Sequence, residues 1–256
     1  MTQKRVSVAI MARNEALALD SVISRLLVTG FQPTEIVLMD DCSSDHTLRV
    51  AKERGVRFVT FSQQIGLSKL IRGSLQYSLD QGFDYHITMD GDGQHAPEYV
   101  PAIVDALEAG ADMVVNTRYG PDSVCLVEPP FDRQLLNIQT TVAVNRITGL
   151  NLTDPLCGLR GYRREVMEFL LAQSFVTDVC ADPHGFVLES LLRVWHANRF
   201  RIVELPHPAI YNGDGKISTL YRDEFLEQRL ERFTMHARHL VHVVQALNLP
   251  LRHVLS

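Results

Sequence analysis

Three observations in the 256-residue sequence predict an α/β protein with a mostly parallel central sheet flanked by helices. Short runs rich in Val, Ile and Met alternate with longer segments whose apolar residues recur at three- and four-residue steps. The early strand-like runs stop at polar, acidic turns, as strands do when they feed a helix that crosses back to a parallel neighbour. A composition of 46% hydrophobic and 21% charged residues suits a chain that buries a full core, and no linker-like stretch interrupts it.

The first strand, Arg5 to Met11, is rich in Val and Ile and stops at Ala12-Arg13-Asn14-Glu15. Ala16 to Thr29 carries Leu19, Val22, Ile23, Leu26 and Leu27 at helical spacing and ends at Gly30. Glu35 to Met39 is a second strand that ends in Asp40-Asp41-Cys42-Ser43-Ser44-Asp45 and feeds a helix running to about Gly55. A third strand covers Val56 to Phe61, and Gly66 to Leu79 places Leu67, Leu70, Ile71, Leu75 and Leu79 on one helical stripe. The fourth strand is Tyr85 to Met89. Beyond it come a helix through Tyr99, Ala102, Ile103, Ala106 and Leu107, a fifth strand from Ala111 to Asn116, and a loop from Pro121 to Phe131. A helix from Asp132 to Thr148 follows, then a turn and short strand within Asp154 to Tyr162, a helix from Gly185 to His196, and a last strand from Arg201 to Leu205.

Several function classes fall away at this stage. A net charge of −5 argues against a nucleic-acid binder. Cys42, Cys125, Cys157 and Cys180 are scattered without zinc spacing, which fits free thiols in a reducing compartment. The polar lead Met1 to Arg5 and the absence of any run of about 18 apolar residues give the expectation of a cytoplasmic protein without a spanning helix.

In parallel sheets ligands bind beyond the carboxyl ends of the strands. Asn14-Glu15, Asp40-Asp41 and Asp90-Gly91-Asp92 all fall there, so the acidic groups gather on one rim. Asp90 and Asp92 flank Gly91, with Gly93, Gln94 and His95 close behind, and the glycines allow both carboxylates to turn toward one ion. A hard cation, Mg²⁺ or Mn²⁺, suits such oxygen ligands and is usually shared with substrate phosphates, here those of a nucleoside diphosphate. The plain alternative is a polar turn capping the helix near Pro97. His95, next to that helix entry, is expected to pack or support rather than ligate. Arg118 and Arg133 have the guanidinium fork that suits phosphate. Arg160 reads as structural, Trp195 as a core anchor, and His236, His239 and His242 as a solvated face.

Asp40-Asp41-Cys-Ser-Ser-Asp-His-Thr, Asp90-Gly-Asp-Gly-Gln-His-Ala-Pro-Glu, Thr117-Arg-Tyr and Asp154-x-x-x-Gly158-x-Arg160 stand in the order and spacing of glycosyltransferase family 2. From about Arg5 to Leu220 the chain resembles the branch of dolichol-phosphate mannosyltransferases and polyprenyl-phosphate glycosyltransferases. That resemblance implies a GT-A fold, an NDP-sugar donor carrying GDP or UDP, a divalent metal, and inversion at the anomeric carbon. It implies Asp90, Asp92 and Gln94 as metal and diphosphate ligands, and Asp41 or Asp40 with Ala12, Asn14, Glu15, Gly66, Lys69 and Gly91 on the nucleotide side. Arg118 and Arg133 would lie near an acceptor phosphate, Asp154 at the acceptor as a base if that acceptor is a hydroxyl, and Lys216 in a loop over the donor diphosphate. The sequence departs from the family at Ala12, where Pro is usual, at Cys42, where Gly is usual, and at Ile217-Ser218-Thr219. The acceptor is expected to be a lipid phosphate, with a soluble sugar or small-molecule hydroxyl as the alternative. A sugar-1-phosphate nucleotidyltransferase would need a Gly-rich loop where Met11-Ala12-Arg13-Asn14-Glu15 stands, and intact Asp90 and Asp92 argue against an inactive binding module.

Residues 1–219 are expected to form the transferase domain and 220–256 a helical extension. In the latter, Phe225 or Leu226, Leu230, Phe233, Ala237, Leu240, Val241, Val244 and Leu247 share one stripe. That stripe could dock on a membrane surface or a partner, or pack on the protein's own core or across a homodimer.

Overall fold

The computed structural model describes residues 4–124, 129, 131–176, 185–208, 210 and 226–249. Its seven-stranded sheet has the order β3-β2-β1-β4-β6-β5-β7. The strands are β1 (Val6–Ala12), β2 (Ile36–Asp40), β3 (Arg57–Thr60), β4 (Tyr85–Asp90), β5 (Met113–Thr117), β6 (Arg160–Arg163) and β7 (Ile202–Pro206). The helices are α1 (Ala16–Val28), α2 (Thr47–Glu53), α3 (Leu67–Asp80), α4 (Val100–Glu108), α5 (Phe131–Thr148), α6 (Arg164–Leu171), α7 (Gly185–His196) and α8 (Leu226–Ala246).

Alternation along the strands builds two cores. Val8 and Ile10 of β1 face Leu19, Ile23 and Leu26 of α1 and Ile103 and Leu107 of α4. Ala9 and Met11 face the other way, toward Leu70, Ile71 and Leu75 of α3 and Leu188, Leu191 and Leu192 of α7. Both faces of the sheet are covered, which explains why these strands read as continuous apolar runs.

One strand breaks the parallel rule. β6 runs antiparallel between β4 and β5, with Gly161 opposite both Ile87 and Val114. A Cβ on Gly161 would collide with the Ile103 side chain, so glycine here lets α4 lie close on the sheet. α6 follows directly and was not expected. Its buried Val166, Met167 and Leu170 form too short an apolar pattern to mark a helix, and the nearest preceding glycine, Gly161, lies within β6. Arg160 is fully buried and donates to the Cys157, Pro155 and Val187 carbonyls, tying the 155–157 turn to α7. Trp195 is only half-buried, and Val194 fills the core instead.

The described part of α8 packs on α7 and the shared core through Leu240, Val243, Val244 and Leu247. The expected stripe is rotated. Ala237 is exposed, while His236 and His239, expected on a solvated face, are buried, with His239 Nε2 3.8 Å from Glu189 Oε2. Phe225, the segment from Leu220, and Lys216 lie outside the described residues, as does Ile217-Ser218-Thr219. Among the described residues no helix is long and apolar enough to cross a membrane.

Candidate active site

The site grows from the carboxyl end of β4. Gly91 N–H donates to the Met11 carbonyl at 2.8 Å, and a Cβ at Gly91 would lie 3.1 Å from Ile10 Cγ2 and 3.2 Å from Ala12 Cβ. Glycine therefore lets the acidic turn lean on β1, and buried Ala12 is the surface it leans on. Asp90 N–H donates to His95 Nδ1 at 2.9 Å, which leaves the His95 proton on Nε2, 3.8 Å from Asp90 Oδ2. Burial pushes His95 down to about 4, so it stands neutral behind Asp90 in the supporting place its sequence position suggests.

Asp92 Oδ1 accepts from Gln94 N–H at 3.0 Å, and Gln94 Oε1 accepts from Arg133 Nη1 at 3.3 Å. Burial raises both acids: Asp90 against the opposing charges of Arg118 and Arg133, and Asp92 further through the charge of Asp90. Two carboxylates that resist ionising together gain most from a cation. Among the described residues no three His, Cys, Asp or Glu side chains converge as a closed metal cage. The donors available are two carboxylates and an amide oxygen, a hard, incomplete oxygen set of the kind that suits Mg²⁺ or Mn²⁺ when substrate phosphates supply the remaining ligands. A Cβ at Gly158 would stand 3.6 Å from Asp90 Oδ2, so glycine keeps that side of the carboxylate uncovered. These residues fit the ion the sequence implies.

On the β2 side the two acids divide their work. Asp41 Oδ1 accepts from Ile65 N–H at 2.6 Å and Oδ2 from Gly66 N–H at 3.2 Å, which fixes the entry to α3 at Gly66, where φ is 86°. Asp40 Oδ2 accepts from Thr60 Oγ1 at 2.7 Å, while its buried Oδ1 has no partner among the described residues. Of the two, Asp40 therefore has the acceptor still to be satisfied. Asn14, at φ 55°, accepts Ser44 N–H on Oδ1 at 2.8 Å and so joins the β1 and β2 turns; neighbouring Glu15 is buried, its N–H bonded to Thr47 Oγ1 at 2.8 Å. Lys69 lies exposed on the first turn of α3. Cys42 takes φ 60°, the left-handed conformation that explains the usual glycine there.

On the other side, Asp154 is fully buried and holds Arg118 in a fork, Nε to Oδ2 at 2.6 Å and Nη2 to Oδ1 at 3.1 Å. Both carboxylate oxygens of Asp154, the candidate base for a hydroxyl acceptor, are thus engaged by a guanidinium. Glu204 of β7 braces this arrangement, accepting from Thr153 N–H at 2.8 Å and from Asp154 N–H at 3.0 Å. His207, just past β7, is buried, accepts Ala96 N–H on Nε2 at 2.8 Å and meets the His95 ring edge-on at 5.6 Å. Glu204 and His207 escaped the sequence reading; a lone acid inside the last strand and a histidine between two prolines were the only signals.

The fold recurs in glucosyl-3-phosphoglycerate synthase from Mycobacterium tuberculosis. Its UDP complex aligns with a TM-score of 0.67 at 19% identity over 96% of this chain and 81% of that one. Its complex with Mn²⁺, UDP and phosphoglyceric acid gives 0.68 at 20% identity over 96% and 80%. Among curated sequences the chain is 30% identical to polyprenol monophosphomannose synthase of Mycolicibacterium smegmatis over 79% of this chain and 76% of that protein. It is 27% identical to undecaprenyl-phosphate mannosyltransferase of Micrococcus luteus over 79% and 82%. Residues 7–171, which run from β1 through α6 and carry Asp90, Asp92, Arg118 and Asp154, match the model of glycosyl transferase family 2. This chain is an enzyme that transfers sugars and belongs to glycosyl transferase family 2.

Proposed function

We propose that the protein transfers a sugar, with inversion, from a GDP- or UDP-sugar to a polyprenyl phosphate. The observation that carries the reading is the meeting of opposite charges at one site: Asp90 lies in the field of Arg118 and Arg133, Asp92 in that of Arg133, and Arg133 reaches Gln94. Such a site offers cation ligands to a diphosphate on one side and guanidinium donors to a second phosphate on the other.

Asp90, Asp92 and Gln94 would hold Mg²⁺ or Mn²⁺, which when bound neutralises charge on the departing diphosphate. Asp40 and Asn14 would face the nucleoside. Arg118 and Arg133 would hold the acceptor phosphate so that one of its oxygens faces the anomeric carbon opposite the leaving group. The new C–O bond forms there as the bond to the diphosphate breaks, and the bonding pair leaves with the nucleotide. A phosphate monoester with its second pKa near 6 is already an anion at neutral pH, so the step calls for no base. The commitment of Asp154 to Arg118 accords with this. The named activities of the Mycolicibacterium and Micrococcus relatives support the acceptor class.

The experiment is a donor-by-acceptor screen with Mn²⁺. Transfer to a short-chain polyprenyl phosphate and none to free sugars is the expected result. Transfer to free sugars alone would replace this reading with that of a soluble-acceptor enzyme.

A further inference from the structure

Strand β7 ends between the two halves of the site. Its register sets Pro206 opposite Thr117, which precedes Arg118, and the next N–H, that of His207, donates to the Thr117 carbonyl at 2.8 Å. The His207 ring reaches the exit of the acidic turn instead, where Nε2 accepts Ala96 N–H at 2.8 Å across 111 residues of sequence. Its edge-on contacts with His95 and Tyr99, each 5.6 Å between ring centres and at 82° and 69°, fix how it lies. Accepting at Nε2 puts the proton on Nδ1, and that buried atom has no hydrogen-bond partner among the described residues. Buried polar atoms are nearly always paired, so the orientation of this ring is set by Ala96 and its aromatic neighbours rather than by its own satisfaction.

We propose that His207 is a positioning residue for the cation site, holding His95 behind Asp90 and thereby fixing where the Asp90 carboxylate stands. The relay is short. His207 seats the His95 ring, and His95 Nδ1 accepts Asp90 N–H at 2.9 Å. Ala96, the residue after His95, is the one His207 bonds, so the ring and the main chain at the end of the turn both depend on it. The main chain of His207 meanwhile ties this turn to the strand that leads into Arg118. A change of side chain therefore loosens the acidic turn and leaves the tie to Thr117 in place. The inference rests on the reading of Asp90 and Asp92 as cation ligands, and groups that orient metal ligands from behind contribute roughly ten- to hundred-fold in metal affinity. A His207 that only filled the core would affect every ligand alike.

The test is calorimetric titration of GDP and UDP into the full chain, with Mn²⁺ and with chelator, and the readout is the gain in nucleotide affinity that Mn²⁺ brings. His207→Phe keeps a ring without an acceptor, and is expected to reduce that gain about ten-fold or more while the metal-free affinity and the acceptor KM stay within about two-fold of wild type. His207→Asn, whose amide stops short of Ala96, is the second variant, with the same expectation. His207→Gln can present Oε1 near the place of Nε2 and is expected to recover most of the gain. An unchanged metal-free affinity is the evidence that each variant is folded. A full Mn²⁺ gain in the Phe and Asn variants, or a joint fall in metal-free and Mn²⁺-dependent affinity, would overturn the proposal. So would a Gln variant no better than Phe. A wild type whose nucleotide affinity ignores Mn²⁺ would strike the cation reading itself and this inference with it, an outcome told apart by needing no variant.

Discussion

Asp154 and Arg118 form a buried two-point ion pair, 2.6 and 3.1 Å between guanidinium nitrogens and carboxylate oxygens, on the side proposed for the acceptor. Breaking one partner of a buried pair leaves an uncompensated charge and typically costs 3–5 kcal/mol. Asp154→Asn is expected to lower unfolding stability by about 3 kcal/mol and to reduce kcat. The pH dependence of the residual rate should keep the wild-type acid limb, because that limb follows the acceptor phosphate. A limb that disappears with Asp154 would identify it as a base after all.

Arg133 reaches the acidic turn from α5, on the side assigned to the acceptor. Removing a charge-assisted hydrogen bond costs about 1.5–3 kcal/mol, so Arg133→Ala should raise the acceptor KM ten-fold or more and leave the donor KM within about two-fold. Initial-rate kinetics with each substrate varied in turn separate the two; a change confined to the donor would reassign the residue.

Cys42 occupies φ 60°. A β-branched side chain is poorly tolerated there, at about 1–3 kcal/mol for a residue forced into that region. Cys42→Val should lower the Tm, and Cys42→Gly should leave it unchanged or raise it. Thermal melts of the two variants check the sign.

His86 is fully buried between Ser7 Oγ at 2.8 Å and Ser74 Oγ at 2.9 Å, and burial pushes it down to about 3. Its unfolded counterpart takes a proton near 6.5, so its stabilising contribution is fully present above that pH and is lost as pH falls toward 3. Between pH 6.5 and 5 that loss is on the order of 2 kcal/mol for this residue. The raised Asp90 and Asp92 act in the opposite sense, gaining stability as they protonate. They do so equally in wild type and in His86→Gln, so the difference between the two isolates His86. Urea unfolding at pH 7 and pH 5 should show a smaller acid loss in the variant.

Much of this was legible in the sequence for an identifiable reason. Gly185–His196 was read at its observed bounds because Leu188, Leu191, Leu192 and Trp195 keep helical spacing, and β1, β2 and β4 because a doubly covered strand is a continuous apolar run. The acidic rim followed from strand polarity alone. What escaped depends on long-range geometry. β6 runs backward because of how the chain re-enters the sheet, which no local pattern records. The commitment of Asp154 to Arg118 and of Asp41 to the 65–66 turn requires partners 36 and 24 residues away. Glu204 and His207 act through residues distant in sequence, and α5 buries Asn137 and Thr140 beside Val144, so a search for purely apolar faces packed inward misjudges it.

Asp90 and Asp92 are proposed to form a cation site that binds the donor diphosphate. Calorimetric titration of GDP- and UDP-sugars into wild type and Asp92→Asn, each with Mn²⁺ and with chelator, tests it most directly. Wild type is expected to bind one donor tightly only with Mn²⁺, and Asp92→Asn to bind weakly whether or not the metal is present. Equal donor affinity in wild type with and without the metal, or full Mn²⁺-dependent binding in Asp92→Asn, would contradict it.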